Sequence, residues 1–309
     1  MLFRSAGKIC GRLAKVITED VTGGDERRVA LEFRDGRINP DLSIGADVTG
    51  AVPLRANERV SCPGVKLHGS GFIVTPEEAY SLGLGRIPGL ERHIRPYLNG
   101  RDLTATSRGV MVIDLFGLAI NDVRDRFPEV YQFLLERVKP EREAKGKGGT
   151  KDSQEYARHW WLFGKPRSDF RPALAGLRRF IATPVTSKHR FFTFISGDVL
   201  SDDALITIAS EDAYFLGVLS SQIHIVYALD QGATLEDRPR YIKTRCFETF
   251  PFPAATSEQS VHIRKLGERL DAHRKTRQAE HPGLTLTGMY NVLEKLRDGQ
   301  QLSGKDRDI

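Results

Sequence analysis

The sequence predicts an α+β protein, and three observations carry that prediction. Short apolar runs separated by turn residues open the chain, and two amphipathic helices close it. Between them, strand-like and helix-like segments alternate without the regular spacing of a doubly wound parallel sheet. No internal repeat is present.

Leu13 to Ile17 and Val29 to Phe33 flank Thr22, Gly23, Gly24 and Asp25, and Asp35 and Gly36 follow, which predicts antiparallel strands joined by hairpins. They resemble the edge of a sheet whose remainder lies elsewhere. Asn39 to Asn57 carries Pro40, Gly45, Gly50 and Pro53, and a domain boundary is expected there. Val65 to Val74 reads as a short strand broken by Gly69 and Gly71, and Thr75, Pro76, Glu77 and Glu78 as the capped start of a brief helix. Ile94 to Asp102 places a tight Asn99-Gly100 turn beside Arg101, and Val110 to Leu118 is an apolar strand. A helix opens at Phe127, Pro128 and Glu129, keeps the helical period through Val130, Phe133, Leu134 and Val138, and is closed by Pro140.

Glu141 to Asp152 is polar, basic and glycine-rich, the composition of a mobile loop. It leads to Tyr156 to Arg167, which holds both tryptophans between basic residues. Strands are expected over Leu177 to Val185, Phe191 to Ile195 and Leu205 to Ala209, and one buried helix over Glu211 to Leu229 with His224 as a hydrogen-bonded core residue. Pro239 to Phe252 ends this part. Val261 to Gln278, with Ile263, Leu266 and Leu270 on one stripe, and Thr287 to Leu296 form the helical tail.

The 309 residues, 40% hydrophobic and 28% charged, can enclose a core and exclude disorder throughout. The longest apolar candidate, Ala213 to Leu229, is interrupted by Gly217, Ser220, Ser221, Gln222 and His224, so no membrane-spanning helix is expected. The first residues lack the apolar block of a signal peptide, and a cytoplasmic chain is expected. Three distant cysteines, Cys10, Cys62 and Cys246, offer neither a disulfide framework nor a zinc knuckle.

Net charge is +6, but its distribution is uneven. Fourteen Lys and Arg against five Asp and Glu lie between Arg137 and Arg190, a local balance of +9, which is the electrostatic footprint of a surface that meets phosphates. Arg158, His159, Trp160, Trp161, Lys165 and Arg167 fall within ten positions, and basic residues recur at Arg178, Arg179, Lys188, Arg190, Arg240, Lys243 and Arg245 near expected strand ends. Guanidinium groups contact phosphates or guanine edges, and aromatic rings stack on bases or pack beneath loops. One tryptophan is expected in the core and the other toward a ligand. The P-loop, HExxH and GxSxG motifs are absent. His68-Gly69-Ser70-Gly71 falls short of a dinucleotide fingerprint, and Asp114 with Glu143 and Lys145 is the nearest approach to a divalent-metal nuclease set.

Five segments carry a family resemblance: IRPYLNGRDL (Ile94 to Leu103), ARHWWLFGKPR (Ala157 to Arg167), RRFIATPVTSKHRFF (Arg178 to Phe192), FLGVLSSQIH (Phe215 to His224) and PRYIKTRCFETFPFP (Pro239 to Pro253). In content and order they resemble the target-recognition half of the large bacterial DNA methyltransferases of the type IIG restriction-modification class, the MmeI-like group. The tail ending LTLTGMYNVLEKLR is similar to that family's C-terminus. The resemblance implies double-stranded DNA as partner, with contacts from Arg101, Arg158, Trp160, Trp161, Lys165, Arg167, Arg178, Arg179, Lys188, His189, Arg190, Arg240, Tyr241, Lys243 and Arg245.

Such enzymes methylate the N6 of a flipped adenine from S-adenosylmethionine, using an Asn-Pro-Pro-Tyr loop and a glycine-rich cofactor loop. Neither loop is in this sequence, whose only Asn-Pro is Asn39-Pro40, so no cofactor and no catalytic residue is assigned to this chain, and a catalytic methyltransferase chain encoded upstream is the implied partner. Residues 1–48 would then be the last strands of a methyltransferase domain, 49–255 the recognition domain and 256–309 the C-terminal helices. The competing expectations are a small metal-dependent nuclease built on Asp114, Glu143 and Lys145, a methyltransferase with an unusual cofactor loop at Gly69 to Gly71, and a fragment without function.

Overall fold

A computed structural model describes residues 10–21, 27–38, 44, 50–235 and 238–309. The chain forms two compact units, Met1–Val52 and Pro53–Ile309. The turn expected at Thr22 to Asp25, and Asn39, Pro40 and Gly45 of the expected boundary, lie outside the described residues.

In the first unit, β1 (Cys10–Val21) and β2 (Arg27–Arg37) pair antiparallel, with a bulge between Val16 and Thr18. Partners on the same face include Ala14 with Phe33 and Val16 with Leu31, and Phe33, Val16 and Leu31 are each exposed.

The second unit begins with β3 (Ser61–Pro63), β4 (Ile73–Val74) and α1 (Pro76–Ser81), whose Thr75 and Glu78 form the expected capping box. β5 (Ile94–Leu98) runs into α2 (Gly100–Thr104), where Asn99 is the N-cap of a helix rather than a hairpin turn. β6 (Met111–Ile113) precedes α3 (Ile120–Arg126) and α4 (Pro128–Arg137). The expected glycine-lysine loop is instead two helices, α5 (Lys139–Gly146) and α6 (Lys151–Arg158). Pro140 sits in the first turn of α5, where a missing N–H costs nothing, and Thr150 caps α6, so both residues open helices here.

α7 (Arg171–Leu174) leads to β7 (Arg179–Pro184), β8 (Thr193–Ser196), β9 (Leu200–Ser201) and β10 (Leu205–Ile208). The long helix expected next is two, α8 (Ala213–Leu219) and α9 (Gln222–Gln231), because the Ser221 hydroxyl accepts from His224 N and starts the second. The hairpin β11 (Ala233–Leu235) and β12 (Arg238–Arg240) and a π-helical turn, Lys243–Phe247, precede α10 (Ser257–Glu280), α11 (Leu286–Arg297) and α12 (Gly304–Arg307).

Two four-stranded sheets organise this unit, in the orders β3-β10-β7-β8, antiparallel throughout, and β4-β6-β5-β9, antiparallel except for the parallel β5–β9 pair. The first is buried on both faces: Ile181 faces a core with Phe192, Leu216 and Tyr241, while its neighbours Phe180 and Ala182 face another with Leu205. The second sheet packs under α1, α3 and α4 around Phe72, Ile94, Val112 and Leu134. The α+β expectation therefore holds. No described helix is long and apolar enough to cross a membrane.

Candidate nucleic-acid interface

The segment around Lys165 is held by backbone pairing with the chain before β4. Lys66 N donates to Lys165 O and Lys165 N to Lys66 O, each at 3.0 Å, and Arg167 Nε donates to Gly64 O at 2.9 Å. This ladder sets Lys66 and Lys165 on one concavity of about 410 Å³, whose lining also includes His68, Arg142, Lys145, Asp152 and Tyr156. Arg142 is buried, and its guanidinium donates to Leu67 O at 2.6 Å and Leu162 O at 3.2 Å, so its charge is fixed beneath the concavity. Burial lowers the pKa of His68, and Lys66, Arg142 and Lys165 lower it further against the opposing charge of Asp203, which pairs with Lys66 at 3.3 Å. Lys66 was not singled out from the sequence: it lies far from the basic run, and only the ladder brings it to Lys165.

Other expected contacts divide by exposure. Arg101, Arg158, Lys165, Arg178, Arg240 and Arg245 are exposed. Arg178 is the freest, with 91% of its side chain accessible and Glu211 only at 4.0 Å. Arg158 leans on Glu155 at 3.4 Å, a weak surface pair. Lys188 and His189 are half-committed to α11: Lys188 Nζ reaches Asn291 and Glu294 at 2.8 Å, and His189 Nε2 lies 2.8 Å from Asn291 Oδ1. Arg179 is held by Glu268 and by Glu211 O, with its guanidinium 3.7 Å from the Phe194 ring centroid. Lys243 pairs with Glu248.

Three expected contact residues are interior. Arg190 is buried, donates to Thr183 Oγ1 at 2.9 Å, to Pro184 O and to Pro239 O at 3.2 Å, and burial lowers its pKa to about 10. Tyr241, 1% exposed, lies below it with its hydroxyl 3.1 Å from His224 Nε2. Trp160 is buried in the core under the second sheet, and Trp161 is half-buried with Nε1 donating to Leu118 O at 3.0 Å. Both tryptophans therefore pack on the core, Trp160 within it and Trp161 partly exposed at its margin, and Arg190 braces the β7–β8 turn. Nor do the basic clusters coincide: Arg178 and Lys188 lie beyond opposite ends of β7, about 20 Å apart for six extended residues.

The rival readings meet definite obstacles. Asp114 is buried and clasped by Arg171, Nη1 to Oδ2 at 2.7 Å and Nη2 to Oδ1 at 3.1 Å, while Glu143 and Lys145 stand on α5 paired with Lys139 and Glu141. Among the described residues no group of His, Cys, Asp and Glu is arranged to hold a metal ion. The Gly69–Gly71 loop does not fit S-adenosylmethionine. A Cβ on Gly71 would lie 2.9 Å from Arg137 O, a Cβ on Gly69 would meet the Glu141 carboxylate, and a strand follows instead of a helix N-terminus. These glycines let the loop press against α4 and α5.

The family described as MmeI, target recognition domain, matches residues 53–254. DNA methyltransferase A of Bacillus subtilis (strain 168) is 21% identical over 261 residues, which are 82% of this chain and 28% of that protein. The solved structure of the Type IIL restriction-modification enzyme MmeI in complex with DNA superposes with a TM-score of 0.66 at 21% identity, over 84% of this chain and 34% of that one, a likeness of fold. The chain thus spans about a third or less of the length of these relatives. With two thirds of its residues inside the matched region, the chain belongs to the MmeI target-recognition-domain family.

Proposed function

We propose that this chain is the sequence-specific DNA-recognition part of an adenine-N6 DNA methyltransferase of a restriction-modification system. The observation that carries the reading is the family match over residues 53–254, coupled to a surface on which Lys66 and Lys165 share a concavity underlain by Arg142. Phosphates would be held by Lys66, Arg101, Arg158, Lys165 and Arg178, and by Arg240 and Arg245 beside the β11–β12 hairpin. Trp160, Arg190 and Tyr241 support these residues from within and make no DNA contact in this reading. The relatives' names point to S-adenosylmethionine chemistry in the longer proteins, and a catalytic methyltransferase portion would complete this chain.

Selection from a pool of random duplexes tests the recognition half of the proposal. The reading predicts enrichment of one short sequence, and an unenriched pool overturns it. Incubation with labelled S-adenosylmethionine and the selected duplex tests the other half: no label is transferred by this chain alone, and transfer would contradict the assignment.

A further inference from the structure

A second recess, of about 320 Å³, lies where the two four-stranded sheets meet, between β5, β7, β9, β10 and α7. Three arginines reach it. Arg171 is neutralised by Asp114. Arg95 donates only to backbone carbonyls, Asp198 O at 2.8 Å and Gly197 O at 3.0 Å, and Arg167 only to Gly64 O, so neither has a carboxylate partner among the described residues. Burial lowers the pKa of Arg95, while the nearby charges of Asp114 and Asp198 raise it, and guanidinium groups keep their charge in proteins.

Ser201 and Thr207 also line it. Both residues are at least nine-tenths buried, 5% and 2% exposed, and neither oxygen has a hydrogen-bond partner. Buried hydroxyls in proteins are almost always bonded, so two unbonded ones in residues of one recess wall mark a place where a ligand atom would supply what the fold does not. The remaining wall is apolar, formed by Phe170, Leu174 and Leu177. The wall is built by close backbone approach: a Cβ on Gly64 would lie 2.1 Å from Ser201 O, and one on Gly197 would lie 2.0 Å from Leu177 O.

We infer that this recess binds a nucleoside monophosphate unit. Two guanidiniums without a paired carboxylate suit the two charges of a phosphate monoester better than the single charge of a carboxylate. The apolar wall takes a planar body, and the two hydroxyls meet its polar edge. A volume near the lower end of the range for small-molecule sites, about 300 Å³, limits the ligand to that size. The doubly charged monoester identifies a free nucleotide, because a nucleotide turned out of bound DNA carries only singly charged diesters. The inference stands apart from the duplex-binding proposal.

Calorimetric titration of the full chain with deoxyadenosine and deoxythymidine 5′-monophosphates, with deoxyadenosine, and with inorganic phosphate is the test. Saturable binding of a monophosphate, about tenfold tighter than either the nucleoside or phosphate alone, is expected. Arg167→Gln and, separately, Ser201→Ala with Thr207→Val should each weaken it by about tenfold. The hydroxyl pair removes only unbonded groups, so its melting temperature should hold or rise, which keeps the test valid if Arg167→Gln folds poorly. Absence of saturable monophosphate binding at millimolar concentration, equal binding of inorganic phosphate, or indifference to the hydroxyl pair would overturn the inference. Simultaneous binding of the monophosphate and a duplex is expected, and mutually exclusive binding would overturn the assignment to a free nucleotide. Duplex binding without monophosphate binding sinks this inference alone.

Discussion

Arg178 and Arg179 are adjacent and chemically identical, and the fold gives them different work. Arg178 projects into solvent, whereas Arg179 lies between Glu268 and the Phe194 ring. Arg178→Glu is therefore expected to weaken duplex binding while leaving the melting temperature unchanged. Arg179→Glu, which sets a carboxylate against Glu268, should cost about 2 kcal/mol of stability, read by urea unfolding. Equal effects of the two on stability would contradict this division. His224 offers a pH test. Burial, and then the charge of Arg190, lower its pKa to about 3, below the ordinary 6.5. Between these values the unfolded chain binds a proton that the folded chain does not. Stability should therefore fall as pH drops below about 6.5, with this residue contributing up to about 1.4 kcal/mol per pH unit. His224→Gln should flatten the profile by that slope; an unchanged profile would show that this imidazole is not the group responsible. At this scale the sequence was legible for His224, whose apolar neighbours signalled a core histidine. It was not legible for Arg190 or Trp161, because whether an arginine or tryptophan faces water depends on elements far away in the chain.

Helices and strands were easiest to recognise where a cap or a period marked them, as at Thr75 for α1 and along Val130 and Leu134 in α4. They were hidden where composition argued for a loop, as in α5 and α6, whose glycines lie at the C-terminal end of α5 and beyond it. Helix α10 shows a different limit. Its expected apolar stripe included Leu266, which is exposed, and the residues it buries are Gly267, Asp271 and Arg274. Asp271 Oδ1 accepts from Phe194 N and Thr193 Oγ1, both at 3.1 Å, and Arg274 Nη1 donates to Phe192 O at 2.6 Å. The helix thus satisfies the outer edge of the first sheet through polar side chains, a pattern that a search for hydrophobic period overlooks. Asp271→Ala should cost about 2 to 3 kcal/mol by leaving those donors unpaired. Gly267 permits the crossing of α10 on α8, since a Cβ there would lie 2.3 Å from Ala213 O. Gly267→Val should lower stability by about 3 kcal/mol. Thermal unfolding of both variants checks the pair, and wild-type melting of either would remove that contact from the account.

The molecule as a whole reads as two compact units, the second with its own cores. Residues 53–309 alone are predicted to unfold cooperatively and to bind duplex DNA with the affinity of the full chain; an unfolded or inactive product would contradict that. The first unit presents Val16, Leu31 and Phe33 on one exposed face, and the antiparallel pairing of these strands was legible in their apolar runs and the turn residues between them. Recognition of the family from five dispersed segments was possible because those segments hold structural contacts, such as the Lys165 ladder and the Tyr241–His224 pair, as well as surface cations. The most direct measurement is the salt dependence of duplex affinity for the wild-type chain and for Lys165→Glu and Arg178→Glu. Cationic side chains gripping phosphates predict a steep linear fall of log affinity with log salt, by about 0.9 for each phosphate contacted, and a slope reduced by about one in each variant. Duplex binding that ignores salt, or that survives both charge reversals unchanged, would contradict the account.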